Sequence, residues 1–73
     1  MNNIETITLQ VNGKPKKFIS QMNLPQFLEE MQFNPYLVVI EYNGEILHKE
    51  YWENTFLKKG DNLEVVTLSL IHI

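Results

Sequence analysis

The residues most able to do acid–base or metal chemistry are two histidines and nine acidic residues, and their spacing forms no catalytic grouping. His48 and His72 have no ligand-like spacing with each other or with a carboxylate, so we interpret His48 as a polar residue of an exposed loop. Two close acidic pairs are more typical of solvated helix or turn faces than of general acid–base pairs; they are Glu29 with Glu30 and Glu50 with Glu53. We therefore expect a protein that is not an enzyme and that holds no metal or cofactor.

Cysteine and arginine are both missing from the sequence, and their absence argues against several classes of function. Without cysteine there is no disulfide, no thiolate nucleophile and no cysteine-type zinc site. A net charge of −3 without arginine argues against a nucleic-acid partner, because phosphate binding favours a basic surface. The three glycines are isolated turn residues, so no phosphate-cradling loop is predicted.

Length and hydropathy predict one small cytoplasmic domain. Seventy-three residues, 44 % of them apolar, suffice for a single modest core. The longest apolar run, residues 37–40, is far too short to span a membrane, and the N-terminus lacks the apolar segment of a signal peptide. We therefore expect a cytoplasmic location and no membrane partner.

The sequence predicts that most of the chain forms short strands. Ile7, Leu9 and Val11 alternate with polar residues, which is the period of a half-buried strand. The pairs Asn-Gly at 12–13 and at 43–44 predict tight hairpin turns. Further strands are predicted at about residues 16–20 with Phe18 inward, at 37–42, at 45–47 and at 63–68.

One helix is predicted after the first hairpin. Apolar residues at i, i+3, i+4 and i+7 from Leu24 to Met31 form a single helical stripe. Asn23 is a good N-cap, and Gln26 three residues later fits a capping box. Asn34-Pro35 should mark the end of the helix, because the residue before proline is pushed out of the helical region.

Residues 48–56 are aromatic and less regular, and we expect a helical turn plus a loop that closes one end of the core. Trp52 with Tyr51 has two interpretations, a core plug or an exposed stacking platform, and the small size of the chain favours the plug.

The order of elements predicts an α+β fold of the β-grasp type. One main helix cannot cover both faces of a four- to five-stranded mixed sheet, so it packs across one face. The first and last strands can then lie side by side and parallel at the centre. The other face of the sheet remains open to a partner.

Three segments of the chain carry a family resemblance: residues 33–47 read FNPYLVVIEYNGEIL, residues 57–67 read LKKGDNLEVVT, and residues 9–13 read LQVNG. These segments resemble the ThiS family, the ubiquitin-like sulfur carriers of thiamine biosynthesis. The likeness covers residue 4 to residue 67 or 68. Molybdopterin carriers of the MoaD type share the fold but not these sequence segments.

The resemblance implies a carrier that holds sulfur on its own C-terminus. In the family the chain ends in Gly-Gly, and a ThiF-like adenylyltransferase adenylates the terminal carboxylate with ATP and magnesium. A sulfur donor system then makes a thiocarboxylate, and a ThiG-like thiazole synthase takes the sulfur for the thiazole ring of thiamine. A glycine end suits this role, because a Cβ would obstruct a chain that threads a narrow channel.

The sequence departs from the family at its end. Residues 69–73 read SLIHI, with no glycine after Gly60, and as written this tail cannot form the family's glycyl thiocarboxylate. Residues 68–73 resemble the translation of CTG TCT CTT ATA CAC ATC, which is similar to a transposon mosaic end used in preparing sequencing libraries. We therefore divide the chain into a ThiS-like domain, residues 1–68, and a non-family tail, residues 69–73, that we interpret as a translated adapter; the alternative is a natural tail.

The predicted partner surface is the open sheet face near the last strand. By alternation, one face of that region should carry the residues Val39, Glu41, Glu64, Val66 and Leu68. An exposed valine beside acidic residues suits transient docking, although Val66 is equally well interpreted as an ordinary surface residue. Two alternative functions stay open, a β-grasp interaction module without carrier chemistry and a sulfur carrier like the small subunit of molybdopterin synthase.

Overall fold

The computed structural model describes residues 5–19 and 21–68, which form a five-stranded mixed sheet with one main helix. In chain order the elements are β1 (Thr6–Val11), β2 (Lys14–Ile19), α1 (Leu24–Glu30), a 3-10 helix (Pro35–Leu37), β3 (Val38–Tyr42), β4 (Glu45–Ile46), a second 3-10 helix (Lys49–Asn54) and β5 (Asn62–Thr67). The strands lie in the order β2-β1-β5-β3-β4, with β1 and β5 parallel and the other neighbours antiparallel. The predicted α+β, β-grasp architecture is confirmed.

Both Asn-Gly pairs form the predicted hairpin turns. Asn12 and Gly13 have φ of 52° and 83°, and Asn43 and Gly44 have φ of 52° and 90°, so both central residues of each turn are left-handed. Each asparagine also fastens β5: the Oδ1 of Asn12 accepts a hydrogen bond from the Val65 N–H at 2.8 Å, and that of Asn43 accepts one from Asn62. The two turns therefore align the last strand as well as their own hairpins.

The return strand β2 begins earlier than the sequence pattern suggested. It starts at Lys14, directly after the turn, and Pro15 pairs with Gln10 near its beginning. Phe18 is its buried residue, as predicted, whereas the predicted last residue, Ser20, lies outside the described residues.

The helix has the predicted start and an earlier end. Asn23 and Gln26 form a reciprocal capping box with two 3.0 Å hydrogen bonds. The helix ends at Glu30, before the expected boundary at Pro35, because Gln32 takes a left-handed φ of 65°. The N–H of Gln32 and that of Phe33 then bond back to carbonyls of the last turn, which is a Schellman ending with glutamine in the place of glycine.

The core lies between α1 and the inner face of the sheet, and Trp52 closes one end of it. The indole of Trp52 is 5 % exposed, and its Nε1 donates to the Leu47 carbonyl at 3.0 Å. Tyr51 and Phe56 point to solvent instead, so the expected plug is one tryptophan on a 3-10 turn. Besides Trp52, the buried apolar residues are Leu9, Val11, Phe18, Leu24, Phe27, Leu28, Val38, Ile40, Leu57, Leu63 and Val65. No helix within the described ranges is long and apolar enough to cross a membrane.

Candidate functional site

The side chains with catalytic potential are scattered over the surface. His48 is exposed at the start of the second 3-10 helix, and the acidic residues at positions 29, 30, 50 and 53 are exposed as well. Within residues 5–19 and 21–68, no group of three or more metal-ligating side chains comes together. His72 lies outside the described residues.

Strands β3 and β5 bring the predicted docking residues together on the outer face of the sheet. Val39 lies directly opposite Val66, and Glu41 lies directly opposite Glu64. The pairing is fixed at both ends by backbone hydrogen bonds, from Asn43 N–H to the Asn62 carbonyl at 2.8 Å and from Leu68 N–H to the Leu37 carbonyl at 2.6 Å. Alternation sends the intervening residues of both strands into the core.

The strand register and the Leu68–Leu37 backbone bond set four apolar residues side by side there, a group that we call the exit patch; they are Leu37, Val39, Val66 and Leu68. Val66 is 50 % exposed, Leu68 46 % and Leu37 47 %, while Val39 is half-buried. The patch lies where β5 delivers the chain to residue 69. Apolar surface concentrated beside a chain exit is typical of a protein–protein contact.

Leu37 and the neighbouring Tyr36 were not predicted from the sequence to belong to this part of the surface. Leu37 precedes Val39 by two residues, so strand alternation alone could have placed it on the same face. Tyr36 is 80 % exposed, and the Nζ of Lys49 lies 4.2 Å from the centroid of its ring. No sequence pattern links Tyr36 to Lys49, because the contact depends on how the two 3-10 helices pack.

Two carboxylates border the exit patch. Glu41 and Glu64 face each other across neighbouring strands, an arrangement of like charges that destabilises a sheet. On the β1 side, the adjacent outer-face pair is polar and uncharged, Gln10 with Asn62. The acidic border favours a partner with basic side chains around an apolar centre.

Asp61 holds the start of β5 in place. Its carboxylate is 6 % exposed and accepts hydrogen bonds from the Tyr42 hydroxyl at 2.6 Å, the Lys58 N–H at 2.8 Å and the Asn43 side chain at 3.2 Å. Burial by itself would raise the pKa of Asp61, but these hydrogen bonds outweigh it and hold the pKa below its ordinary value. The stability that Asp61 contributes is therefore present above its ordinary pKa and is lost as the pH falls through the lower folded value.

Tyr42 makes the opposite contribution at alkaline pH. Burial, the hydrogen bond to Asp61 and the charge of Asp61 raise the pKa of Tyr42 from 10.0 to about 12. Since the unfolded chain ionises first, the free energy of unfolding should decline as the pH rises from about 10 to about 12. Tyr42→Phe should remove this part of the decline, as measured by urea unfolding across that pH range. Tyr36→Phe is the matched control and should keep the full decline; equal slopes for the two variants would contradict the assignment.

The strand order and the single helix are enough to assign this chain to a fold class. A mixed five-stranded sheet, parallel at its centre and covered on one face by one helix, is the ubiquitin-like β-grasp fold. The crystal structure of a thiamine biosynthesis protein (ThiS) from Geobacter metallireducens matches it with a TM-score of 0.79 and 29 % sequence identity, covering 90 % of this chain and all of that one.

Residues 9–68 match the model of the ThiS family, and the chain belongs to that family. Its relatives include proteins named "Uncharacterized protein ycf40". The one from Trieres chinensis is 35 % identical over 84 % of this chain and 84 % of its own length. The one from Pyropia yezoensis is 32 % identical over 85 % of this chain and 87 % of its own. The fold is therefore that of a small carrier-type or ubiquitin-like module, which is not itself catalytic.

Proposed function

We propose that this protein is a sulfur carrier that delivers sulfur as a C-terminal thiocarboxylate for thiazole formation in thiamine biosynthesis. The observation that carries the proposal is the family match over residues 9–68 together with a last strand that leads the chain out beside the exit patch. Its partners are a ThiF-like adenylyltransferase, a ThiG-like thiazole synthase and a sulfur donor system. We place it in the cytoplasm, where these enzymes and ATP would meet it.

The chemistry proceeds on the chain end and not on the folded domain. The adenylyltransferase joins the terminal carboxylate to AMP and releases pyrophosphate from ATP. Sulfur at the oxidation level of sulfide, supplied by the donor system, then attacks the acyl carbon; a C–S bond forms as the bond to AMP breaks, and the synthase consumes the resulting thiocarboxylate. The domain contributes the docking surface and an extended strand that points the end of the chain at the enzyme.

The proposed function requires a C-terminal tail different from residues 69–73 of this sequence. We propose that residues 1–68 are the native domain, and that residues 69–73 are a translated sequencing adapter in the place of an apolar residue followed by Gly-Gly. The family match stops at residue 68, directly before this segment. Residues 69–73 lie outside the described residues.

An adapter-free sequence of the 3′ end of the gene, from codon 67 onward, tests the proposed function. We expect codons for a short apolar-Gly-Gly ending before the stop. A genomic ending in Ser-Leu-Ile-His-Ile would overturn the carrier chemistry. The β-grasp interaction module would then be the better proposal, since the exit patch would remain without a glycine end to deliver.

Docking through the exit patch predicts a specific effect of Val66→Glu. In a chain that ends in Gly-Gly, this change should lower kcat/KM for adenylation about 30-fold, as expected for the centre of an apolar contact worth about 2 kcal/mol. The melting temperature should change by no more than about 5 °C, because the side chain is half exposed.

Ile19→Glu is the matched control for Val66→Glu. Ile19 is 57 % exposed on the edge strand β2, two strands away from β5, and the change is of the same kind, a β-branched apolar side chain replaced by a carboxylate. Adenylation of the control should stay within about twofold of the parent chain. If the two variants are adenylated equally fast, the exit patch is not the docking surface.

A further inference from the structure

Among residues 5–19 and 21–68, the C-terminal half of β5 has one fully paired edge and one open edge. On the β3 side, pairing continues to Thr67 and is followed by the Leu68–Leu37 backbone bond. On the β1 side, the ladder stops at the pair of Val11 with Leu63, because the chain turns away at residues 12–13. On the β1 side, the second half of β5 therefore has no strand beside it among the described residues.

The hydrogen-bond pattern identifies the backbone groups on that open edge. Residues 61 and 63 give their carbonyls to β1, so odd-numbered residues of β5 face that side. Val65 uses its N–H there, bonded to the Asn12 side chain at 2.8 Å. Next along the same edge come the Val65 carbonyl, the Thr67 N–H and the Thr67 carbonyl. No donor or acceptor from residues 5–19 or 21–68 meets these three groups.

The Asn12 side chain acts as a strand substitute at the junction. Its Oδ1 occupies the place of the next backbone carbonyl of β1, so the ladder ends with a satisfied donor. Beyond it, residues 65–68 offer about 13 Å of strand edge, at about 3.3 Å per residue. Thr67 is exposed, so this edge is accessible to another chain.

We propose that an extended segment of the enzyme that receives the C-terminus pairs with residues 65–68 as an added sixth strand, an inference that rests on the proposed function. The open edge leads directly into the outgoing chain end, so strand pairing there would hold that end extended and aimed. Main-chain hydrogen bonds give affinity in this mode, and alternate side chains give specificity. Since Glu64 and Glu41 border the same part of the outer face, the added segment should direct a basic side chain toward them.

Amide hydrogen exchange of the chain with its Gly-Gly end restored tests this inference. The Thr67 amide should exchange rapidly in the free chain and at least about tenfold more slowly when a ThiF-type adenylyltransferase and ATP are added. The Leu68 amide is the internal control, because it already donates to the Leu37 carbonyl at 2.6 Å and should be protected in both states.

A backbone substitution gives a second readout without changing any side chain. In a chemically synthesised chain, an ester in place of the Thr67 amide removes only the open-edge donor. It should lower kcat/KM for adenylation about fivefold to tenfold, the effect of losing one hydrogen bond, with little change in melting temperature. The same replacement at Leu68 should instead lower the melting temperature.

The outcomes separate this inference from the proposed function. If the chain with its Gly-Gly end restored, without any ester, is neither bound nor adenylated, the proposed function and the added strand both fail. If it is adenylated while the Thr67 amide stays unprotected and its ester reacts at the parent rate, the added strand alone is wrong. Protection that rises with the concentration of the chain itself, without enzyme, would assign the edge to a second copy and overturn the inference as well.

Discussion

Replacing residues 69–73 by one apolar residue and Gly-Gly is expected to turn a chain that gives no adenylate into one that is adenylated. The reason is steric: in the proposed function the adenylyltransferase would bring the terminal carboxylate to ATP through a narrow channel, which a bare glycine end would pass and the side chains of His72 and Ile73 would not. ATP–pyrophosphate exchange measures the first step. Intact mass then reports the second, as the replacement of one oxygen by sulfur when a sulfur donor system is added.

A chain ending in Gly-Ala in place of Gly-Gly is the control for this experiment, since it keeps the length of the restored end and adds a single methyl group. Its exchange rate should be at least about tenfold lower, whereas its melting temperature should match that of the Gly-Gly chain. Exchange at the same rate by the chain ending in Ile73 would contradict the requirement for glycine and would favour a natural tail with another role.

Trp52→Ala is expected to remove most of the stability of the domain. The indole is 5 % exposed and closes the end of the core, and replacing a buried tryptophan by alanine costs about 3–5 kcal/mol. It also leaves the Leu47 carbonyl without its 3.0 Å hydrogen bond. A domain of this size has a free energy of unfolding toward the low end of about 5–15 kcal/mol, so the variant should be largely unfolded near body temperature. Urea unfolding followed by circular dichroism measures the loss.

Tyr51→Ala tests whether the effect belongs to burial or to aromatic character. Tyr51 is the adjacent residue on the same 3-10 helix and is 53 % exposed. Its replacement should change the free energy of unfolding by less than about 1 kcal/mol. Equal losses for the two variants would mean that the 3-10 helix, and not the indole in the core, supports this end of the domain.

Local sequence chemistry predicted the parts of the fold that depend on neighbouring residues. The capping box at the start of α1 forms because Asn23 and Gln26 are three residues apart and satisfy each other's backbone donors. The Asn-Gly turns form because both residues adopt positive φ. The end of α1 was predicted too late, since glutamine is not a residue that marks a left-handed helix ending, and nothing local indicates that Gln32 adopts one.

The neighbours on the outer face of β3 and β5 were predicted only in part, because alternation describes residues of one strand and not the packing of irregular segments. Strand alternation predicted that Val39, Glu41, Glu64 and Val66 share a face, and the structure pairs them residue for residue. The same alternation says nothing about Tyr36 and Lys49, which meet through packing of two irregular segments. The burial of Asp61 was also missed, because two of its three donors, the Tyr42 hydroxyl and the Asn43 side chain, belong to the distant β3–β4 hairpin, which only the folded chain brings to it.

The sequence alone determined the order of elements, because turns, caps and alternation are properties of adjacent residues, and its similarity to the ThiS family determined family membership. Only the tertiary structure decided which groups near the chain exit are paired and which are open. That outcome depends on where β1 turns away from β5, on the Asn12 side chain that ends their ladder, and on the register of β3 with β5. These are contacts between residues far apart in the chain, and they set the apolar patch, the acidic border and the free strand edge together.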